Sequence, residues 1–285
     1  MADISTELDT IQNSAYGEQA RSAIVSASQS INTQIESVDD FIQEDIWHAS
    51  FFRGKSLGSG ATFEAASTEA QRAAIADGTF KDMFVGDYWT VNNKIFRIAD
   101  FNYWKGIGDT AFNTNHVVIV PDASLASGVM NETNATEGAY IGSFMYSDQS
   151  SALNTARATI RSLFGDYVAT YRSYLPNAVS NGAESAGSWY DASIELMSEI
   201  MVYGNNIKAA KSTGGTRYVT SDPLQLALFK LNQYFITKDC YTFWLRDVVS
   251  ATDFASVHID GLADNYNASN SLGVRSAFPL KGTKS

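Results

Sequence analysis

Apolar residues recur along this chain in two rhythms. From Ile24 to Ile42 they fall at steps of 7, 4, 3 and 4, on Ile24, Ile31, Ile35, Val38 and Ile42. Written as a heptad, Ile24, Ile31 and Val38 occupy d, while Ile35 and Ile42 occupy a. Ser28 interrupts the seam at one a position. The spacing predicts an amphipathic helix, and isoleucine at both a and d favours three or more strands over two. An oligomerising stalk, in the form of a trimer, is therefore expected. The plainer alternative is one helix packed on its own domain.

After Trp47 the rhythm changes. Thr68 and Gln71 form a capping-box signal for a short helix through Ala70, Ala73, Ala74 and Ile75, closed by Gly78. Two β-rich runs, 84–91 and 94–101, flank Asn92-Asn93 and predict a hairpin. Residues 116–121 predict a third strand. Helical spacing follows at 152–175, on Ile160, Leu163, Phe164, Val168, Tyr171, Tyr174 and Leu175. A second helix is predicted at 190–203, with Gly204 as its stop. Asp222-Pro223 predicts an N-cap and first-turn proline for a helix through Leu224, Leu228 and Leu231. Strands return at 241–246, 254–259 and 274–280. Strands at both ends with helices between them predict an α+β domain. The expected layout is a helical anchor and oligomerisation stalk at 1–46, a linker with a short helix at 47–83, and an α+β display domain at 84–285. No repeat of fixed period appears.

Charge sharpens the first boundary. Residues 1–46 hold nine acids and one base, Arg21, and so carry most of the net charge of −11. Such a balance makes nucleic acid and anionic membranes poor partners, because phosphates are bound by clustered Lys and Arg. No apolar run reaches the roughly 18–20 residues of a membrane span. The opening residues Met1–Glu7 are polar and acidic, unlike a secretion signal. Charged residues are 18% of the chain, below the roughly 25% of an average soluble protein. Small polar residues take their place, a profile that suits an extracellular or virion protein.

Little here points to catalysis. Cys240 is the one cysteine, which excludes a multi-cysteine zinc site. It precedes Tyr241 at an expected strand start and reads as a buried small hydrophobe. His48, His116 and His258 are scattered, and His116 reads as structural. Gly54-Lys55-Ser56 lacks the glycine a phosphate loop needs five residues earlier, where Ala49 stands. No metal and no cofactor are expected, and Asp247, Asp253, Asp264, Asn265 and Asn267 match no fixed calcium loop.

Two resemblances refine the picture. Ala15-Tyr16-Gly17 followed by Arg21 and Ala23-Ile24 resembles a short N-terminal pattern in tailed-phage structural proteins. That resemblance implies a virion-anchoring end that contacts other virion proteins. The second is carried by Phe84–Trp89 with Ile98–Phe101, and by Phe243-Trp244-Leu245-Arg246 with Leu272-Gly273-Val274-Arg275 and Phe278. These segments resemble C-type-lectin-like domains, in the branch shared by formylglycine-generating enzymes and phage tropism determinants. The resemblance implies a C-type-lectin-like domain that binds a host surface, such as a glycan or cell-wall component, on a virion assembled in the host cytoplasm. The enzymes of that branch use two cysteines, so their activity does not carry over to this chain. The alternatives are a capsid-bound head fibre or decoration protein and, less favoured, such an enzyme.

Expected binding residues follow from composition. The loops at 247–253 and 264–270 flank one short strand and converge at one end of the domain. Asp247, Asp253, Asp264, Asn265, Tyr266, Asn267 and Asn270 mix acids and amides with one tyrosine, as adaptable recognition surfaces do. Trp104 lies in a polar stretch beside Asn102 and Tyr103 and is expected to be exposed. Arg246 and Arg275 sit in strands and are expected to pin loop carbonyls or a carboxylate. Trp244 is expected in the core.

Overall fold

The computed structural model describes residues 24–26, 28, 29, 31, 48–209 and 222–284. Asn92 and Asn93 both adopt positive φ, 47° and 61°, which is the two-residue turn that matches strand twist. They join β2 (Tyr88–Val91) to β3 (Lys94–Phe101), with Val91 opposite Lys94. β4 (Val117–Pro121) adds to β3, and β13 (Ser276–Leu280) adds to β4, both antiparallel. β1 (Ser56–Gly60) pairs parallel to β2, and β8 (Glu195–Leu196) closes the other edge of a six-stranded sheet. A five-stranded sheet runs β11 (Ala263–Asn267), β10 (Asp253–Val257), β9 (Phe243–Val248), β12 (Leu272–Val274) and β5 (Ala126–Gly128). β6 (Tyr171–Ser180) and β7 (Ala183–Ala192) form a separate two-stranded ribbon.

Alternation along β9 divides the interior. Phe243 and Leu245 enter a large core with Trp89, Phe96, Val118 and Phe278. Trp244 and Val248 point the other way, into a smaller core with Met130, Tyr140, Leu153 and Leu175. Both faces of the second sheet are therefore covered, as a period of two requires when every second residue is apolar on each side. Residues 48–83, read as a linker, supply β1 and two short helices, α1 (Phe63–Ala66) and α2 (Glu69–Asp77). Phe63, Ile75, Phe80 and Met83 from this stretch are fully buried. The Thr68–Gln71 capping box is present, and Gly78 ends α2 in the left-handed conformation.

This architecture corrects the expected α+β fold. It is mainly β, with 32% strand and seven short helices. No long helical stalk leads the described residues, and the helix-led lectin-like arrangement is replaced by two sheets and a ribbon. Of the heptad positions, Ile24 and Ile31 are helical and exposed. Ile35, Val38 and Ile42 lie outside the described residues.

The expected helices shorten for physical reasons. Helix α4 (Ala152–Phe164), which follows the short α3 (Phe144–Ser147), stops at Gly165. There φ is 53° and ψ is −137°, a backbone open mainly to glycine. Tyr171 and Leu175, read as the continuation of the helical face, are inward residues of β6. Spacings of three and four over so short a run suit either period until strand pairing selects one. The helix predicted from residue 190 begins at α5 (Glu199–Tyr203). Asp222 caps nothing. α6 (Ala227–Leu231) starts five residues later, followed by α7 (Tyr234–Thr237), and the Asp222 carboxylate takes Arg246 instead.

Candidate functional site: the polar rim of the second sheet

Residues 249–252 turn between β9 and β10, and the Ser250 hydroxyl organises them. Its Oγ accepts the N–H groups of Thr252 and Asp253, each at 3.1 Å. It also donates to Asp253 Oδ2 at 3.1 Å. Asp253 faces Asn267 in register across the hairpin. Asn267 Nδ2 donates to Asp253 Oδ1 at 2.5 Å, and Asn265 Nδ2 lies 3.4 Å from Oδ2. Thr252 Oγ1 adds a donor at 3.2 Å. One carboxylate thus orders three side chains from both strands.

Further segments extend this rim. Asn134 Oδ1 accepts from Ser269 Oγ at 2.6 Å and from the Ser269 amide at 3.2 Å. Thr136 Oγ1 donates to the Ser250 carbonyl at 2.8 Å. The ribbon tip at Gly182 also arrives here, packed against the backbone of Ser250 and Ala251. The result is a patch of Asn, Ser, Thr and one Asp, drawn from residues far apart in sequence and presented at one end of the molecule. Its groups are short, and many hold their geometry through each other, which suits reversible hydrogen bonding to a hydroxylated surface. Among the described residues no three His, Cys, Asp or Glu side chains stand together to hold a metal ion.

The expected binding residues divide. Asp253, Asn265 and Asn267 come together as expected, with Asn270 exposed beside them and its amide donating to the Asn267 carbonyl at 2.9 Å. Asp264 and Tyr266 alternate to the opposite face of β11, and Tyr266 packs against the smaller core. Trp104 is a correction: it is 1% exposed, stacked on Tyr171 with ring centroids 4.2 Å apart. Its polar sequence neighbours conceal an aromatic cluster with His116 and Phe112 that only tertiary packing assembles. Cys240 is also a correction. It is exposed, with φ of 51°, in the turn that follows α7. Asn134, Ser250, Thr252 and Ser269 were missed as candidates. Asn134-Ala135-Thr136 and Asn267-Ala268-Ser269 are the local signal, two small polar triplets whose meeting is tertiary.

Asp247 belongs to a buried group beneath the rim. Its Oδ2 accepts the Glu199 amide at 2.7 Å. Glu184, on β7, accepts the amide of the next residue, Val248, at 3.1 Å. Glu199 is fully buried and accepts the amides of Ile207, Lys208 and Ala209. Burial and the neighbouring carboxylates Glu184 and Glu199 hold the Asp247 carboxyl well above its ordinary range. Burial raises Glu184 to about 7, partly offset by the Val248 amide and Arg246. Arg246 is the local cation, paired with Asp222 and reaching towards the Leu196 carbonyl. Arg275 donates to the carbonyls of Pro121 and Phe235, each at 2.8 Å. Both arginines pin loops as expected, and Trp244 lies in the core, its indole N–H donating to the Gly128 carbonyl at 2.9 Å.

No family model, no curated protein and no solved structure matches this chain.

Proposed function

We propose that this chain is a tailed-phage virion protein that displays its β-rich domain for adhesion to the host surface. In this reading residues 1–46 attach it to other virion proteins and join three copies, and it binds without chemistry. The observation that carries the reading is the polar rim around Asp253. Four chain segments spend side chains on a pre-ordered, nearly uncharged patch that serves no core. Preorganisation lowers the entropy lost on binding, so short polar groups held in place bind better than the same groups on a free loop. Hydroxyl-rich host glycans or cell-wall polymers fit such a patch. Attachment to the particle rests on the Ala15–Ile24 pattern and on the acidic first segment.

A competition assay tests it. Purified full chain, added in excess to host cells, is expected to slow adsorption of the parent phage. Asp253→Ala combined with Asn267→Ala is expected to weaken that competition about tenfold, two hydrogen-bonding groups being worth roughly 0.5–1.5 kcal/mol each. Unchanged adsorption at saturating wild-type protein would overturn the adhesion reading. Antibody labelling of particles then places the protein on head or tail and decides between an adhesin and a shell decoration.

A further inference from the structure

The two-stranded ribbon carries an aromatic feature that neither core uses. Alternation sends Tyr171, Ser173 and Leu175 inward, where they are buried. Arg172 and Tyr174 point outward, opposite Asp191 and Trp189 respectively. Trp89, Trp104 and Trp244 are at most 1% exposed, so Trp189 is the one described tryptophan outside the interior. Tyr174 and Trp189 meet at 76° with centroids 5.5 Å apart, forming an L-shaped corner.

The corner is built in detail. Gly187 lies under the Tyr174 ring, and a Cβ there would fall 2.5 Å from Tyr174 Cε1. Only a residue without a side chain lets the ring lie flat across the ribbon. Arg172 borders the corner and is fixed from three sides. It holds Asp109 through Nε and Nη2 at 2.8 and 2.9 Å, Asp191 through Nη1 at 2.9 Å, and the Trp189 carbonyl at 3.1 Å. The Asp191 side chain is 75% exposed.

We infer that the Tyr174–Trp189 corner is a sugar-binding subsite that takes one pyranose ring of a surface glycan. The chemistry of the ligand follows from the groups present. A pyranose offers a face of slightly positive C–H bonds, which packs against the negative face of an aromatic ring. Its rim offers hydroxyls, which need fixed polar partners. Asp191 Oδ2 is placed to accept one, since Arg172 engages Oδ1. A lipid tail would leave the Arg172–Asp191–Asp109 border without a role. A phosphate would meet two carboxylates there. The inference rests on the adhesion reading and names a ligand class and a second contact for it, on the ribbon rather than on the rim.

The test uses the full chain and soluble tetrasaccharides of glucose, galactose and N-acetylglucosamine. Tryptophan emission and retention on beads bearing the same sugars report binding. Saturable binding is expected to at least one of the three. Trp189→Ala should weaken it at least tenfold, Trp189→Phe should retain most of it, and Asp191→Ala should weaken it about threefold. Asp191→Ala alters an exposed side chain and keeps the test informative should Trp189→Ala fail to fold. Equal sugar binding by wild type, Trp189→Ala and Asp191→Ala would overturn the subsite. Binding to host cells without binding to any of the sugars would overturn the subsite and leave adhesion standing. Binding to neither would overturn both.

Discussion

Glu184 and His116 show at the residue scale how burial sets the response to pH. The folded value of Glu184 is raised from 4.5 to about 7. Between those values the folded state holds more protons than the unfolded chain, so stability falls as pH rises through that window. Asp247, also raised, acts in the same direction. His116, buried in the aromatic cluster with Trp104, is lowered from 6.5 to about 4. Its folded form holds fewer protons than the unfolded chain there, so its contribution rises with pH from about 4 to 6.5 and is constant above. The two effects separate above pH 6.5. The urea midpoint of the wild type is expected to decline from pH 6.5 to 8 by an amount on the order of 1 kcal/mol. Glu184→Gln keeps an oxygen for the Val248 amide while removing the titration, and its midpoint should be nearly flat over the same range. A decline of equal size in both proteins would show that Glu184 is not the responsible group. The same scale explains the error over Trp104. Asn102 and Gly106 beside it are polar or small, and nothing local states that Tyr171 arrives to cover its ring.

At the scale of elements, strong local signals survive and weak ones yield to pairing. The Asn92-Asn93 turn, the Thr68–Gln71 box and the left-handed ends at Gly78 and Gly204 are readable because each is settled by a few adjacent residues. The ribbon is not, because Tyr171, Tyr174 and Leu175 fit a helical face as well as a strand. Gly165 is the deciding position. A Cβ there would meet nothing within 4 Å, so replacing it tests the backbone alone. Gly165→Ala is expected to cost about 1–3 kcal/mol, read as a lower urea midpoint with an unchanged slope. A neutral result would mean that the end of the helix at Phe164 is fixed by packing rather than by this residue.

For the whole molecule, the boundary near residue 47 is both a charge boundary and the start of the packed fold. His48 is fully buried, with its Nδ1 2.5 Å from the Met83 carbonyl oxygen. The proposal that residues 1–46 join copies therefore has a direct test. Light scattering is expected to give a trimer for the full chain and a monomer for residues 47–285. A monomer in both would remove the trimer and leave attachment to the particle as the role of the first segment. A trimer in both would move the interface onto the β-rich domain.

The amino-acid sequence by itself determined the turns, the caps, the strands around the Asn turn and at the C-terminal end, the roles of Arg246 and Arg275, and three of the rim residues. Each depends on a backbone preference or on a polarity pattern a few residues long. The tertiary structure alone decided that β6 and β7 are strands, that Trp104 is buried, and that Asn134 and Ser269 meet. It also decided that Asp247 turns inward to Glu199. Those outcomes depend on partners brought together from distant parts of the chain, where the cost of leaving a strand edge, a ring or a carboxylate unpaired outweighs local preference.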